Sequence, residues 1–251
     1  MKIKEINAKK ILTISRISEQ MYSLNPYIGC QHSCKYCYAT FMKRFTNHKE
    51  NWGNFIDVKI NSPYLLKEEL QKAKRWEVML SSVTDPYQSI ERKYALTREC
   101  LEILLKYQFP VSILTKSPLV LRDIDLLIRF ENLEVGFTIT TDDDEIKKIF
   151  EPFSPSIYER IKALEILHRR GIRTYAFIGP ILPLNPENLV KKLRKIVDFV
   201  YIDRMNYPKK VINLYRKHGL ESYLNEDYFY KMGHELKKFF NLEQVEVKIL
   251  F

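Results

Sequence analysis

Apolar residues recur along this chain with two alternating periods. Short runs at 76–82, 111–115, 133–140, 172–178 and 199–203 are rich in Val, Ile, Leu and Phe and have the length of strands. Between them, at 93–107, 119–130, 156–170 and 186–197, apolar positions return every three or four residues, as in amphipathic helices. Upstream, residues 1–28 read as extended, with strand formers at 10–14 and 21–24, and Asn25-Pro26 imposes a turn; a first barrel strand is expected to end near Ile28. Residues 38–48 place Tyr38, Phe41, Met42 and Phe45 at helical spacing, and these aromatics are read as core rather than as a substrate platform. Residues 51–63 read as a polar, glycine-containing connection, followed by a helix at 64–75. Counting the strand before residue 28, the alternation gives six βα units. It predicts an α/β fold with a parallel sheet, closed or partly closed as a barrel, and active residues at the carboxyl ends of its strands. Residues 208–219 and 225–240 then read as helical, the second with Asn225 as N-cap, Glu226 and Asp227 in its first turn, and Tyr228, Met232, Leu236 and Phe239 as one face. A last strand at 244–251 is placed at a sheet edge.

Composition narrows the class. At 251 residues, one domain is expected, with a core at about 20–205 and a helical extension at about 206–251. Hydrophobic content of 45% supports a packed globule, and no apolar run approaches the roughly 18 residues of a membrane span. Residues 1–16 lack the continuous apolar core of a signal peptide, so a cytoplasmic protein with no membrane partner is expected. The excess of 41 Lys and Arg over 31 Asp and Glu, a net +10, favours polyanionic partners, although solvated lysines alone produce the same balance.

Three of the four cysteines, Cys30, Cys34 and Cys37, stand in the spacing Cys-x3-Cys-x2-Cys. Thiols this close in a cysteine-poor chain point to metal ligation rather than a disulfide framework. They suit a zinc ion completed by His32 or His48, or an iron-sulfur cluster with one iron left open. Cys100 shares a helix face with Leu96, Ile103, Leu104 and Tyr107, and reads as a core residue. At the predicted strand ends lie Ser81-Ser82-Val83-Thr84-Asp85-Pro86-Tyr87-Gln88, then Thr115-Lys116-Ser117, then Thr138-Ile139-Thr140-Thr141 and Glu151-Pro152. By themselves these are turn and loop residues with hydroxyls and one cation.

With Tyr36 just before the last cysteine, the loop resembles the signature of the radical S-adenosylmethionine (SAM) superfamily. The strand-end motifs, in order over residues 25–185, resemble the branch containing spore photoproduct lyase and the DNA repair photolyase-related proteins. The resemblance implies a partial (βα)6 TIM-like barrel, a 4Fe-4S cluster on Cys30, Cys34 and Cys37, and SAM on the open iron. It also implies an external one-electron reductant of flavodoxin or ferredoxin type, hydrogen abstraction by a 5'-deoxyadenosyl radical, and a nucleic acid or nucleotide as one class of substrate. A protein side chain or small metabolite is the alternative substrate, and a zinc- or cluster-stabilised binding protein the alternative without turnover. Carried over by position, Lys116 would bind the SAM carboxylate; Ser81, Ser82 or Thr84 its amino group; Thr138 or Thr140 the ribose or carboxylate. Tyr36 and the stretch from Pro180 to Pro183 would meet the adenine. Tyr38 corresponds to a tyrosine implicated in radical relay. Ser82 stands where the lyase has its hydrogen-donating cysteine, so repair of spore photoproduct by the lyase's own route is not expected.

Overall fold

Residues 1–15 and 17–251 are described in the computed structural model; Arg16, part of the stretch read as extended, lies outside them. The strands are β1 (Lys2–Ile6), β2 (Leu12–Ile14), β3 (Met21–Leu24), β4 (Tyr27–Ile28), β5 (Phe55–Lys59), β6 (Glu77–Leu80), β7 (Val111–Thr115), β8 (Leu133–Thr138), β9 (Arg173–Ile178), β10 (Phe199–Ile202) and β11 (Glu246–Ile249). An eight-stranded sheet has the order β11-β10-β9-β8-β7-β6-β3-β2, and a three-stranded one the order β1-β5-β4. In the larger sheet β3, β6 and β7 pair in parallel, with Leu24 opposite Leu80 and Val78 opposite Val111, and β2 runs antiparallel to β3. The predicted terminal strand is β11, parallel to β10.

The helices are α1 (Ser62–Leu70), α2 (Glu91–Tyr94), α3 (Leu96–Lys106), α4 (Ile124–Leu127), α5 (Asp144–Phe150), α6 (Ile157–Arg169), α7 (Pro186–Leu193), α8 (Ile212–Lys217) and α9 (Glu226–Leu242). Strand and helix alternate as the hydrophobic periods require, and the fold is the expected α/β partial TIM-like barrel. Local chemistry sets the helix starts. Ser156 and Glu159 form a capping box on α6, and the side chains of Asn185 and Asn225 cap α7 and α9.

Two compact units are distinguished: Met1–Ser33 with Tyr38–Val135, and Cys34–Cys37 with Gly136–Phe251. In the first, Tyr27, Ile56, Val58, Ile90 and Leu96 pack as one cluster. In the second, Phe137, Leu164, Leu167, Ala176 and Ile178 are fully buried.

Several expectations need correction. The first barrel strand ends at Leu24, because Asn25-Pro26 breaks it; Tyr27 and Ile28 pair antiparallel with β5 in the smaller sheet. The stretch read as a polar connection contains β5, whose Phe55, Ile56 and Val58 are fully buried. The helix expected at 93–107 is two, α2 and α3, separated by Ala95 at φ 52°. On α9 the buried face is Phe229, Met232, Leu236 and Phe240, one position round from Tyr228 and Phe239. The helix at 38–48 is a 3-10 helix, Tyr38–Phe45, and its aromatics are not core: Tyr38, Phe41 and Phe45 are exposed.

Candidate active site

The cysteine loop is held by different contacts in the two units. In the first, Gly29 at φ +94° passes so close to β5 that a Cβ would meet the Phe55 carbonyl oxygen at 2.4 Å. Gly53, at φ +93°, likewise leaves room for Ser33, whose hydroxyl donates to the Trp52 carbonyl at 3.2 Å. Gln88, fully buried, accepts from the Gln31 amide at 2.9 Å and donates to the Gly29 carbonyl at 3.2 Å. Thr84 Oγ1 also donates to the Gly29 carbonyl, at 2.5 Å. The turn read as a SAM amino-group site thus clamps the first part of the cysteine loop.

Asp85 organises this turn. Its carboxylate accepts from the Thr115 hydroxyl at 2.7 Å, the Lys116 amide at 2.8 Å and the Tyr87 amide at 2.9 Å. His32 Nε2 stands 3.1 Å away, at ion-pair distance but without hydrogen-bond angles. Burial pushes the Asp85 carboxyl up, but His32, the Thr115 hydroxyl and the Lys116 amide outweigh it and bring it from 3.8 to about 2. A carboxyl depressed on folding contributes stability that is present above its unfolded value and lost as pH falls through its folded value. Asp85→Asn is therefore expected to lower stability by about 2 kcal/mol near neutrality, the gap to wild type closing as pH drops from about 4 to about 2. Thermal melts across that range check it; a gap that persists undiminished at pH about 2 would refute the assignment.

At the end of β6, Ser81 adopts φ 65° and is 5% exposed, yet among the described residues its hydroxyl has no hydrogen-bond partner. A buried hydroxyl without a partner retains capacity for a further hydrogen bond. Ser82 Oγ meets Asn25 Nδ2 at 3.4 Å, and the Ser82 carbonyl accepts from the Tyr38 hydroxyl. Lys116 is half-buried just after β7.

In the second unit the rest of the loop is anchored on a buried charge. The Lys35 amide donates to the Phe150 carbonyl at 2.8 Å, and the Cys37 amide to the Cys34 carbonyl at 3.2 Å. Tyr36 donates its hydroxyl to Glu151, which is fully buried with Arg160. Burial, with the Glu151 carboxylate beside it, pushes the Tyr36 phenol well up, so it remains a donor. Glu151 also accepts from Thr140 Oγ1 at 3.0 Å, Ser154 Oγ at 3.1 Å and Arg160. Arg160 reaches the Thr138 carbonyl at 2.9 Å. From the C-terminal extension, Lys210 Nζ donates to the Cys37 carbonyl at 2.7 Å. Pro180, half-buried, follows a cis peptide bond from Gly179, while Ile181 and Leu182 after it have no exposed surface.

Sequence reasoning noted Glu151 without giving it a role and missed Arg160 and Lys210. A signal for Arg160 was present: it lies on the apolar stripe of α6 with Ile157, Leu164 and Leu167. No disulfide joins the four cysteines, and Cys100 is fully buried as expected. Among the described residues no three Cys, His, Asp or Glu side chains are gathered closely enough to hold a metal ion, nor is any helix long and apolar enough to cross a membrane.

Residues 24–200 match the family described as the Radical SAM superfamily. The chain belongs to the radical SAM superfamily. An uncharacterized protein of Methanocaldococcus jannaschii is 40% identical over 230 residues, covering 91% of this chain and 84% of its own length. The radical SAM Nalpha-GlyT isomerase of Pseudomonas phage M6 is 26% identical over 160 residues, 63% of this chain and 32% of that protein. Spore photoproduct lyase complexed with dinucleoside spore photoproduct shares the fold, with a TM-score of 0.71 over 99% of this chain and 82% of that one at 11% identity. As a radical SAM protein the chain is an enzyme of a superfamily that uses SAM and an iron-sulfur cluster. By chemical type the three thiols of the cysteine loop are ligands such a group uses, but the structure does not gather them at metal-holding distance.

Proposed function

We propose that the protein is a radical SAM enzyme whose substrate is a nucleic acid or nucleotide, with Cys30, Cys34 and Cys37 as ligands of a 4Fe-4S cluster. The observation that carries this is the cysteine loop within the superfamily match, held by Gln88, Asp85 and Glu151. These three thiolates would hold the cluster and would leave one iron open to SAM. When bound, the cluster supplies the electron that splits the sulfonium bond and leaves a carbon radical able to take hydrogen from a substrate.

The chain's own residues bind and orient. The unpaired Ser81 hydroxyl accepts from the SAM amino group, with Ser82 beside it; Thr84, engaged with Gly29, holds the loop instead. Lys116 neutralises the carboxylate, Thr138 and Thr140 flank the ribose, and Tyr36 and Pro180 offer apolar surface to the adenine. Tyr38, its hydroxyl on the Ser82 carbonyl, is the candidate relay to the substrate. Ser82 carries a strong O–H bond, so the cysteine-quenched route of spore photoproduct lyase is closed at that position. The net charge of +10 and the nucleic-acid-type ligand of the structurally similar lyase support the substrate class. We assign the protein to the cytoplasm, where a flavodoxin or ferredoxin supplies the electron, and treat 1–251 as one domain whose extension from about 206 reaches Cys37 through Lys210.

The test is anaerobic reconstitution with SAM and reductant, followed by a screen of deuterated nucleotides and oligonucleotides. Deuterium appearing in 5'-deoxyadenosine from a nucleic acid supports the reading; transfer from a peptide or metabolite alone overturns the substrate class. Stoichiometric zinc with no iron after anaerobic preparation overturns the enzyme itself. Within the same assay, Lys116→Ala is expected to raise the SAM dissociation constant about tenfold to a hundredfold, the value of a charge-assisted contact of roughly 1.5–3 kcal/mol. An unchanged constant with the cluster intact would remove Lys116 from the site.

A further inference from the structure

The segment after the cysteine loop carries three exposed aromatics within eight residues. On the 3-10 helix Tyr38–Phe45, Tyr38, Phe41 and Phe45 are 42%, 40% and 64% exposed, and only Ala39 is buried. The rings form a row. Tyr38 and Phe41 have centroids 6.4 Å apart at 30°, and Phe41 and Phe45 6.5 Å apart at 85°. The Arg44 guanidinium stands over both phenylalanine rings, 5.3 and 4.8 Å from their centroids. The sequence of this helix, YATFMKRF, contains no acid, and Lys43 and Arg44 occupy its last turn. At its start the row is fixed to the barrel, because the Tyr38 hydroxyl donates to the Ser82 carbonyl just beyond β6.

Core packing does not account for this row, since each of the three residues keeps 40% or more of its surface exposed. Its chemistry, ring faces interleaved with cations, fits unpaired bases on a phosphodiester chain. Bases of any identity stack on aromatic faces or a guanidinium plane, while basic side chains meet the phosphates. A duplex offers phosphates but hides its base faces. We infer that Tyr38, Phe41, Arg44 and Phe45 form a stacking platform for unpaired nucleobases, which presents a single-stranded or extruded nucleotide at the carboxyl end of β6. The inference rests on the nucleic-acid reading of the substrate and specifies the form in which that substrate is bound.

The reconstituted protein, titrated anaerobically with fluorescein-labelled oligo-dT and with a hairpin duplex of equal charge, tests it by anisotropy. Phe41→Ala/Phe45→Ala is expected to weaken single-strand binding by about tenfold or more while duplex affinity stays the same. Arg44→Ala should also flatten the salt dependence, lowering the slope of log K against log salt by about 0.7. If wild type binds single strands and the double variant binds them equally well, or loses both forms alike, the platform is overturned while the nucleic-acid reading stands. If wild type binds neither form, that reading fails as well. Anionic-lipid vesicles are the remaining arm: vesicle binding lost in the double variant, with single-strand affinity retained, would make the row a membrane contact and overturn the inference.

Discussion

Replacing any one of Cys30, Cys34 or Cys37 with Ala is expected to reduce SAM-derived 5'-deoxyadenosine to the assay background. On the proposed assignment each thiolate would hold one iron, so loss of one would leave an iron without its protein ligand. Iron and sulfide content after anaerobic reconstitution should fall together with the activity, because ligand binding and ordering of such a loop are one equilibrium. Cys100→Ala is the matched control. That thiol is fully buried on α3, and burial, reinforced by Glu91 and Glu99, pushes its pKa well up, so it is a poor ligand and nucleophile. Its removal should cost about 1 kcal/mol of packing and leave 5'-deoxyadenosine formation intact. A single loop variant that still forms 5'-deoxyadenosine at the wild-type rate would overturn the ligand assignment.

The barrel was legible because its strands are buried on both faces and read as short apolar runs, and because helices with one apolar stripe separate them. Where the reading failed, tertiary context decided. β5 interleaves Phe55, Ile56 and Val58 with Asp57 and Lys59, and what makes it a strand is pairing with β1, more than 50 residues away in sequence. Both polar residues have partners no local window shows: Asp57 is hydrogen-bonded to His48 Nε2 at 2.7 Å, and Lys59 donates to the Asn25 carbonyl at 2.9 Å. The aromatics at 38–45 have the spacing of a buried helix face, and periodicity alone cannot tell a face turned to a core from one turned to a ligand.

The cysteine loop was legible in the sequence and the groups that support it were not. Cys30, Cys34 and Cys37 announce themselves by spacing. Thr84 and Thr140, carried over by position from the family resemblance, each also make a contact within the protein that no local pattern shows: Thr84 to the Gly29 carbonyl, Thr140 to Glu151. Ser81, in contrast, is distinguished from its neighbours only by backbone strain and an empty hydrogen-bond shell, neither of which is encoded locally. Glu151 and Arg160 are nine residues apart, and their pairing depends on the loop between α5 and α6 folding back.

That pair should carry the largest single effect on stability. Glu151 and Arg160 are both fully buried, and removing one partner strands the other's charge in a medium that solvates it poorly. Arg160→Ala is therefore expected to destabilise the protein by about 3–5 kcal/mol, a large share of the roughly 5–15 kcal/mol available to a folded domain, and to lower its melting temperature by about 10 °C. Lys148→Ala provides the scale, because its ion pair with Glu145 is exposed on both sides and should be worth less than about 1 kcal/mol. The double variant Glu151→Gln/Arg160→Met removes both charges while keeping a carbonyl to accept from Tyr36 and Thr140, so it should be less destabilised than Arg160→Ala alone. The consequence reaches the cysteine loop. With Arg160 gone, Glu151 is displaced toward water, Tyr36 loses its acceptor, and the segment Cys34–Cys37 loses its anchor. Arg160→Ala should accordingly retain less iron than the double variant at a temperature where both are folded. Equal melting temperatures for Arg160→Ala and Lys148→Ala would show that the buried pair does not hold this part of the fold.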